Sequence, residues 1–389
     1  MAVVFGLGRD GEGDGYFWSN NNEAMKQRTD SHAFPYKWAL KDAVFTKDKG
    51  RVFSCFACGG GSTMGYKLAG FDVLGCNEID PKMMEAYKAN HNPKYAFLEP
   101  IQTFKLRNDL PSELYELDIL DGSPPCSSFS MAGNRKKDWG KEKKFREGQA
   151  HQILDNLFFD FIDLAKKLQP KVVIAENVKG LLQGGAKEYV RQIYRDFDLA
   201  GYYVQHWLLD ASKMGVPQCR ERVFFIALRK DLASPFLKQQ DLFTIVPELE
   251  LKFSEKAIPF KEISQVDNFR LNEKYFKQWQ QIELGKSLGD YQNSGFCSTK
   301  VHPDFPMPTI IAKQRKESVA GGLLHPFEFR AISDLEFILG GAFPTDYNFG
   351  NGKSKNKVAY LIGMSVPPVM TAQIATQVYN QWLSKIPVI

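Results

Sequence analysis

A chain of 389 residues with 43% hydrophobic residues has room for one large folded domain and a smaller one, in the composition range of a soluble globular protein. Its net charge of +5, with a pI of about 8.6, is mildly basic and suits a nucleic-acid partner without demanding one. Six cysteines in so long a chain exclude a disulfide framework. Cys55 and Cys58 have CxxC spacing but no second pair at zinc spacing follows, so no metal site is expected.

The first fifty residues read as a separate extension. Gly6 to Asn22 is rich in Gly, Asp and Asn and is expected to be poorly ordered, whereas Trp38 and Phe45 should pack on something. From Arg51 the pattern alternates. Arg51 to Phe56 predicts a strand, Gly59-Gly60-Gly61 a turn, and Ser62 a cap for a helix through Ala69. Phe71 to Asn77 predicts a second strand ending at Glu78, and Pro81 opens a helix. The run Asp118 to Gly122 reads as a buried strand that Pro124-Pro125 ends sharply before Cys126. His151 to Leu168 is amphipathic and helical, Val172 to Ala175 a short strand, Ala186 to Leu199 a helix, and Tyr202 to Leu209 and Val223 to Leu228 are strands. This alternation predicts a doubly wound α/β fold with a mostly parallel sheet. The rhythm breaks over 231–325, which reads as an inserted domain of irregular β structure with nearly balanced charge. Regularity returns with Phe329 to Leu339 and a last helix near Pro368. The expected division is therefore 1–50, 51–230, 231–325 and 326–389. Neither a signal peptide nor a spanning segment is evident, and the expected location is the cytoplasm.

Three groups carry chemistry. Cys126 follows a strand end, where ligands bind in open α/β sheets, and precedes a basic run containing Arg135, Lys136, Lys137, Lys141, Lys143, Lys144 and Arg146. Cations there would draw phosphates and favour a thiolate, against the alternative of a buried structural cysteine. Glu176, after an apolar strand, falls at the same sheet edge and could act as a proton donor or merely cap the next element. Arg220 and Arg222 alternate on the way into a strand, which suits a shared face that grips carbonyls or phosphates, or a surface ladder with Glu221. The glycine turn followed by Glu78 is a fourth, weaker sign, of nucleotide-like binding.

Taken together these residues resemble the DNA (cytosine-5)-methyltransferases of bacteria and phages, from Arg51 to near the C-terminus. Phe56-Ala57-Cys58-Gly59-Gly60-Gly61 is similar to the family's cofactor loop, Pro125-Cys126 to its catalytic pair, and Glu176-Asn177-Val178 to its Glu-Asn-Val motif. Gln218, Arg220 and Arg222 match its Gln-x-Arg-x-Arg motif, Arg330 through Glu336 with Phe343-Pro344 its ninth, and Gly363 to Pro368 its tenth. Cys58, Ser127 and Met364 depart from the usual glycine, glutamine and asparagine, and Cys58 would be strained if its backbone needs positive φ.

The resemblance implies a Rossmann-like methyltransferase domain that uses S-adenosylmethionine, with 231–325 as a target-recognition domain. It implies catalytic roles for Cys126, Glu176, Asn177, Arg220 and Arg222. It places the cofactor near Phe56, Gly59, Gly60, Gly61, Glu78, Ile79, Pro125, Ser365 and Val366. DNA contacts are expected from Ser130, Arg135, Lys136, Lys137 and Lys144. The implied partner is double-stranded DNA, joined by a cognate restriction endonuclease where the protein belongs to a restriction–modification pair; a monomer is expected. An RNA-directed relative would carry Cys-Phe-Thr where this chain has Phe296-Cys297-Ser298-Thr299. An inactive DNA-binding scaffold sits poorly with intact Cys126, Glu176, Arg220 and Arg222. A nucleotide-dependent oxidoreductase would leave Cys126 and Arg220 unexplained.

Overall fold

The computed structural model describes residues 32–125, 156–183, 186–240, 245–292, 297–314, 319, 321–350 and 356–387. The expectations for Cys126, Ser130, Arg135, Lys136, Lys137 and Lys144, and for the segment Gly6 to Asn22, concern positions outside these residues.

Strand β1 (Arg51–Cys55) leads through the glycine turn into α1 (Gly61–Leu68), and β2 (Asp72–Glu78) into α2 (Pro81–His91). There follow β3 (Tyr95–Leu98), α3 (Ile101–Phe104), β4 (Ile119–Gly122), α4 (Leu157–Leu168), β5 (Val172–Val178), α5 (Lys187–Leu199), β6 (Tyr202–Asp210) and β7 (Glu221–Arg229). The seven strands form one sheet in the order β3-β2-β1-β4-β5-β7-β6. The first five pair in parallel, and β7 runs antiparallel between β5 and β6. The direction of the chain through the sheet reverses between β1 and β4, the place where such folds bind ligands. Strand β5 is apolar on both faces because both are covered; Val172, Val173, Ile174 and Ala175 are all buried.

The alternation read from sequence is present, with local corrections. Ser62 does not cap α1. Gly60, at φ 94, holds the N-cap position, and Ser62 lies inside the first turn with its hydroxyl turned to Asp121. Strand β5 runs on to Val178, beyond the predicted Ala175, because β7 supplies antiparallel partners as far as Arg222. Pro81 opens α2 as expected, with the Asp80 side chain accepting from the Lys82 and Met83 amides.

Within 231–325 the described strands are only two or three residues long: β8 (Leu237–Gln239), β9 (Ile245–Pro247), β10 (Thr299–Lys300) and β11 (Leu323–Leu324). Helices α6 (Phe276–Gln281) and α7 (Gly289–Gln292) are also short. Leu271, Ile282, Leu288, Val319 and Leu324 form a small core of their own. Residues nearer the start of this region, including Leu249, Ile258, Phe260 and Ile263, pack into the main core instead.

The chain then returns through α8 (Asp334–Gly340), α9 (Lys357–Met364) and α10 (Pro368–Gln381). Lys357–Lys385 has the length and apolarity of a membrane span, with mean hydropathy 1.4, but its most apolar window is 83% buried inside the fold. Its apolarity belongs to the core: Val369, Met370, Ala372 and Ile374 are buried, and α10 lies against α1.

Candidate active site

Register places the site. Asn77, Cys55, Gly122, Ala175 and Phe225 are successive neighbours across β2, β1, β4, β5 and β7. The functional residues expected from the sequence, where they fall among the described residues, lie just past this row on its carboxyl side or are packed against it. Phe56 and the glycine turn follow β1, Glu78 ends β2, Pro125 follows β4, and Glu176 and Asn177 lie near the end of β5. Because β7 is antiparallel, its first residues, Glu221 and Arg222, reach the same edge.

Glu176 and Arg222 meet there. Arg222 Nε lies 2.9 Å from Glu176 Oε1, and both side chains are largely buried. The nearest cation in sequence, Lys179, pairs elsewhere; the β5–β7 pairing, with Val178 opposite Arg222, brings the guanidinium instead. Glu221 does not form a ladder with the arginines. Its carboxylate pairs with Lys179 at 2.7 Å on the surface.

Arg220 has other partners. It is 2% exposed, and its guanidinium donates to the carbonyls of Ile310 (3.2 Å), Gly363 (2.9 Å) and Ser365 (2.9 Å). Burial first, and the neighbouring Arg222 second, push its pKa down, but a guanidinium starts so high that it keeps its proton. Arg220 thus bolts β7 to the C-terminal return. Gln218 adds to this, donating to Gly340 O and accepting from the Ile310 amide. Asn177 is buried, and its Nδ2 donates to Pro124 O at 3.2 Å.

The glycine turn is tight. Phe56, Cys58 and Gly60 have φ of 51°, 50° and 94°. The strain expected at Cys58 is therefore present, since a side chain there occupies a region that favours glycine. The Glu78 carboxylate accepts from the amides of Cys58 (2.7 Å), Ile79 (2.8 Å) and Asp80 (2.9 Å), and so binds the turn to the end of β2. Burial raises the Glu78 pKa, and these amides oppose the rise. A Cβ on Gly61 would come within 2.4 Å of Val366 O and 2.8 Å of the Ser365 Cβ. That glycine lets Ser365 and Val366, both buried, close on the turn. Tyr347 donates to Gly59 O and lies 2.8 Å from His91 Nε2, holding the far side. The backbone turn and the acid ending the next strand lie beside the reversal of the sheet, where a close-approaching turn and an acceptor for ribose hydroxyls suit a nucleotide-like group.

Sequence reading missed Asp121. It is buried on β4, and its carboxylate accepts from Ser54 (2.5 Å), Ser62 (2.8 Å) and Tyr66 (3.1 Å). An acid inside the apolar strand Ile119-Leu120-Asp121-Gly122 was the available signal. Burial pushes its pKa up to about 6 against these three donors, with Glu176 adding to the rise.

The model of the C-5 cytosine-specific DNA methylases matches residues 50–380. The chain belongs to this family, the DNA cytosine-5 methyltransferases. It is 36% identical over 346 residues to the type II methyltransferase M.NgoPII of Neisseria gonorrhoeae, a match covering 84% of this chain and 95% of that protein. To M.FnuDI of Fusobacterium nucleatum it is 37% identical over 182 residues, 47% of this chain and 48% of the relative. Among solved structures, DNMT2 of Spodoptera frugiperda, as a triple mutant, superposes with a TM-score of 0.57 at 17% identity, covering 83% of this chain and 98% of that one. At that identity the likeness speaks for the shared fold.

Proposed function

We propose that this enzyme methylates carbon 5 of cytosine in duplex DNA through a covalent adduct of Cys126 on a flipped-out base. Carbon 5 of cytosine is a weak nucleophile, and addition of a thiolate to carbon 6 activates it. Cys126 makes that bond. Glu176 holds or protonates ring N3, so the electrons displaced by the thiolate have somewhere to go. Arg222 orients Glu176 and contacts the base O2. Asn177 steadies the backbone that runs into Cys126, and Arg220 braces the surrounding loops. The glycine turn, Glu78, Ile79, Ser365 and Val366 would hold S-adenosylmethionine, which when bound would supply the methyl group to carbon 5 and leave as the neutral thioether. A base then removes the carbon 5 proton, and the Cys126–carbon 6 bond breaks. Residues 231–325 form the recognition domain that reads base edges in the major groove, and Ser130, Arg135, Lys136, Lys137 and Lys144 contact the backbone.

The observation that supports this reading most is the Glu176–Arg222 pair together with the bond from the next residue, Asn177, to Pro124 O: an acid oriented by a guanidinium stands one residue from the contact to the chain entering Cys126. The test is direct. Unmethylated duplex DNA is incubated with the protein and labelled S-adenosylmethionine, and products are mapped by bisulfite sequencing. A duplex carrying 5-fluorocytosine at the mapped site should trap a covalent complex, because the final proton removal is blocked. Label transfer with no trapped complex would remove the covalent step.

A further inference from the structure

The family match begins at residue 50, yet residues 32–49 are closely engaged with the fold. We infer that residues 32–46 are a strap that pins the segment leading into the recognition domain to the C-terminal return of the catalytic domain, with Tyr36 and Trp38 as positioning residues for methylation of DNA. This rests on the proposed reading of 231–325 as the DNA-recognition domain.

The strap grips both sides of one seam. Toward the region that leads into the insert, His32 Nε2 donates to Lys256 O at 2.7 Å and the Ala33 amide to Glu255 Oε1 at 2.9 Å. The Tyr36 hydroxyl donates to Glu262 Oε2 at 2.6 Å. Toward the C-terminal return, Trp38 Nε1 donates to Ala342 O at 3.1 Å, and the Thr345 amide donates back to Trp38 O at 2.8 Å. The amides of Leu40 and Lys41 both go to the Asp346 carboxylate, at 2.5 and 3.0 Å. Tyr36 and Trp38 are 7% and 6% exposed, so both aromatic bodies are buried between the two sides.

Both gripped segments adjoin working parts. Glu262 is three residues from Gln265, whose amide donates to Glu336 and whose carbonyl accepts from the fully buried Arg330. Through Gln265, the Arg330–Glu336 pair of the C-terminal return is another tie between the insert and the body. Asp346 directly precedes Tyr347, which holds the glycine turn. A charge pair buried at a crossing fixes one point of contact; a second point, some distance along the same segment, removes rotation about the first. The strap provides the second point through Tyr36 and Glu262. Its effect should fall on DNA binding and site choice, since the glycine turn keeps its own holds through Glu78 and through Tyr347, which His91 backs.

The test uses the full chain with Tyr36→Phe, with Tyr36→Phe and Trp38→Phe together, and with Glu262→Gln, which still offers Tyr36 an acceptor. Each phenylalanine keeps an aromatic ring and loses one hydrogen bond. We expect the double variant to raise KM for DNA about fivefold or more, the scale of one or two net hydrogen bonds. The ratio of methylation at the preferred site to other cytosines should fall with it. KM for S-adenosylmethionine should stay within about twofold, and Glu262→Gln should resemble wild type. Amide exchange in residues 255–265 should quicken while β1 to β5 stay protected. Wild-type KM for DNA and an unaltered site ratio in the double variant would overturn the strap, as would an equal rise in both KM values. If wild type itself methylates no DNA, the proposed function fails instead. The exchange measurement then decides the strap alone, and unaltered exchange in residues 255–265 overturns it.

Discussion

Asn177 Nδ2 donates to the Pro124 carbonyl across 3.2 Å, and so ties the strand that carries Glu176 to the loop that runs into Cys126. The bond is buried and links adjacent strands, β4 and β5, just beyond their last paired residues, Gly122 and Ala175. Pro124 has no amide to give, and its carbonyl is the one backbone group it offers. Asn177→Ala should therefore lower kcat about tenfold or more, by misplacing the nucleophile rather than by weakening cofactor binding. Rapid-quench kinetics with saturating substrates would show this; a change in KM for S-adenosylmethionine alone would contradict it.

Cys126→Ser should abolish methyl transfer and leave DNA binding largely intact. A hydroxyl is far less ionised than a thiol near neutral pH, so addition to carbon 6 should fail. Gel-shift affinity and methyl transfer are measured on the same preparation. Turnover within about tenfold of wild type would remove Cys126 from the chemistry.

Glu176→Gln should slow single-turnover transfer by more than about a hundredfold, the scale of losing a positioned acid. Arg222→Lys tests the partner. Lysine keeps the charge but not the planar fork that meets Glu176 at 2.9 Å, so a large part of the rate should still be lost. Equal rates for wild type and Arg222→Lys would mean that only charge matters at this position.

The strand–helix alternation, the glycine turn and the residues entering β7 were legible because each rests on a local signal: an apolar run, a proline exit, or glycines between a strand and a helix. What sequence could not give were contacts made by pairing distant strands. Glu176 and Arg222 are brought together by an antiparallel register, and no spacing announces it. The bolt from Arg220 to Gly363 and Ser365 joins segments more than 140 residues apart. Ser62 looked like a cap because it follows three glycines, yet Gly60 in a left-handed conformation takes that position and frees Ser62 for Asp121. The extension 1–50 gave no role in sequence because the meaning of Tyr36 and Trp38 lies wholly in the two segments they join.

The affinity for duplex DNA should fall steeply with salt, and neutralising Lys136, Lys137 and Lys144 should flatten that dependence. A cation seated on a phosphate displaces counterions from the duplex, so removing one such cation should reduce the log–log slope by about 0.9. Substituting all three with glutamine and titrating binding from low to high salt gives the slope directly. An unaltered slope would mean that Lys136, Lys137 and Lys144 do not contact phosphates.

Asp121 should make stability fall as pH rises through the range between its unfolded and folded pKa values. Burial lifts its pKa from 3.8 to about 6 despite the hydroxyls of Ser54, Ser62 and Tyr66. Between these values the folded state holds a proton that the unfolded chain has released. The folded state therefore binds more protons, and unfolding free energy declines with rising pH until the carboxyl ionises in both states. A shift of this size corresponds to about 3 kcal/mol at full ionisation. Asp121→Asn cannot ionise and should escape the decline. Other carboxyls titrate in the same range, so the informative quantity is the difference between the two proteins. Measured by urea unfolding from about pH 4 to about pH 7.5, the advantage of wild type over Asp121→Asn should shrink by up to about 3 kcal/mol, most of it before about pH 7. Curves that stay parallel across this range would show that Asp121 is ionised in the fold at about pH 4, with its three hydroxyl donors outweighing burial.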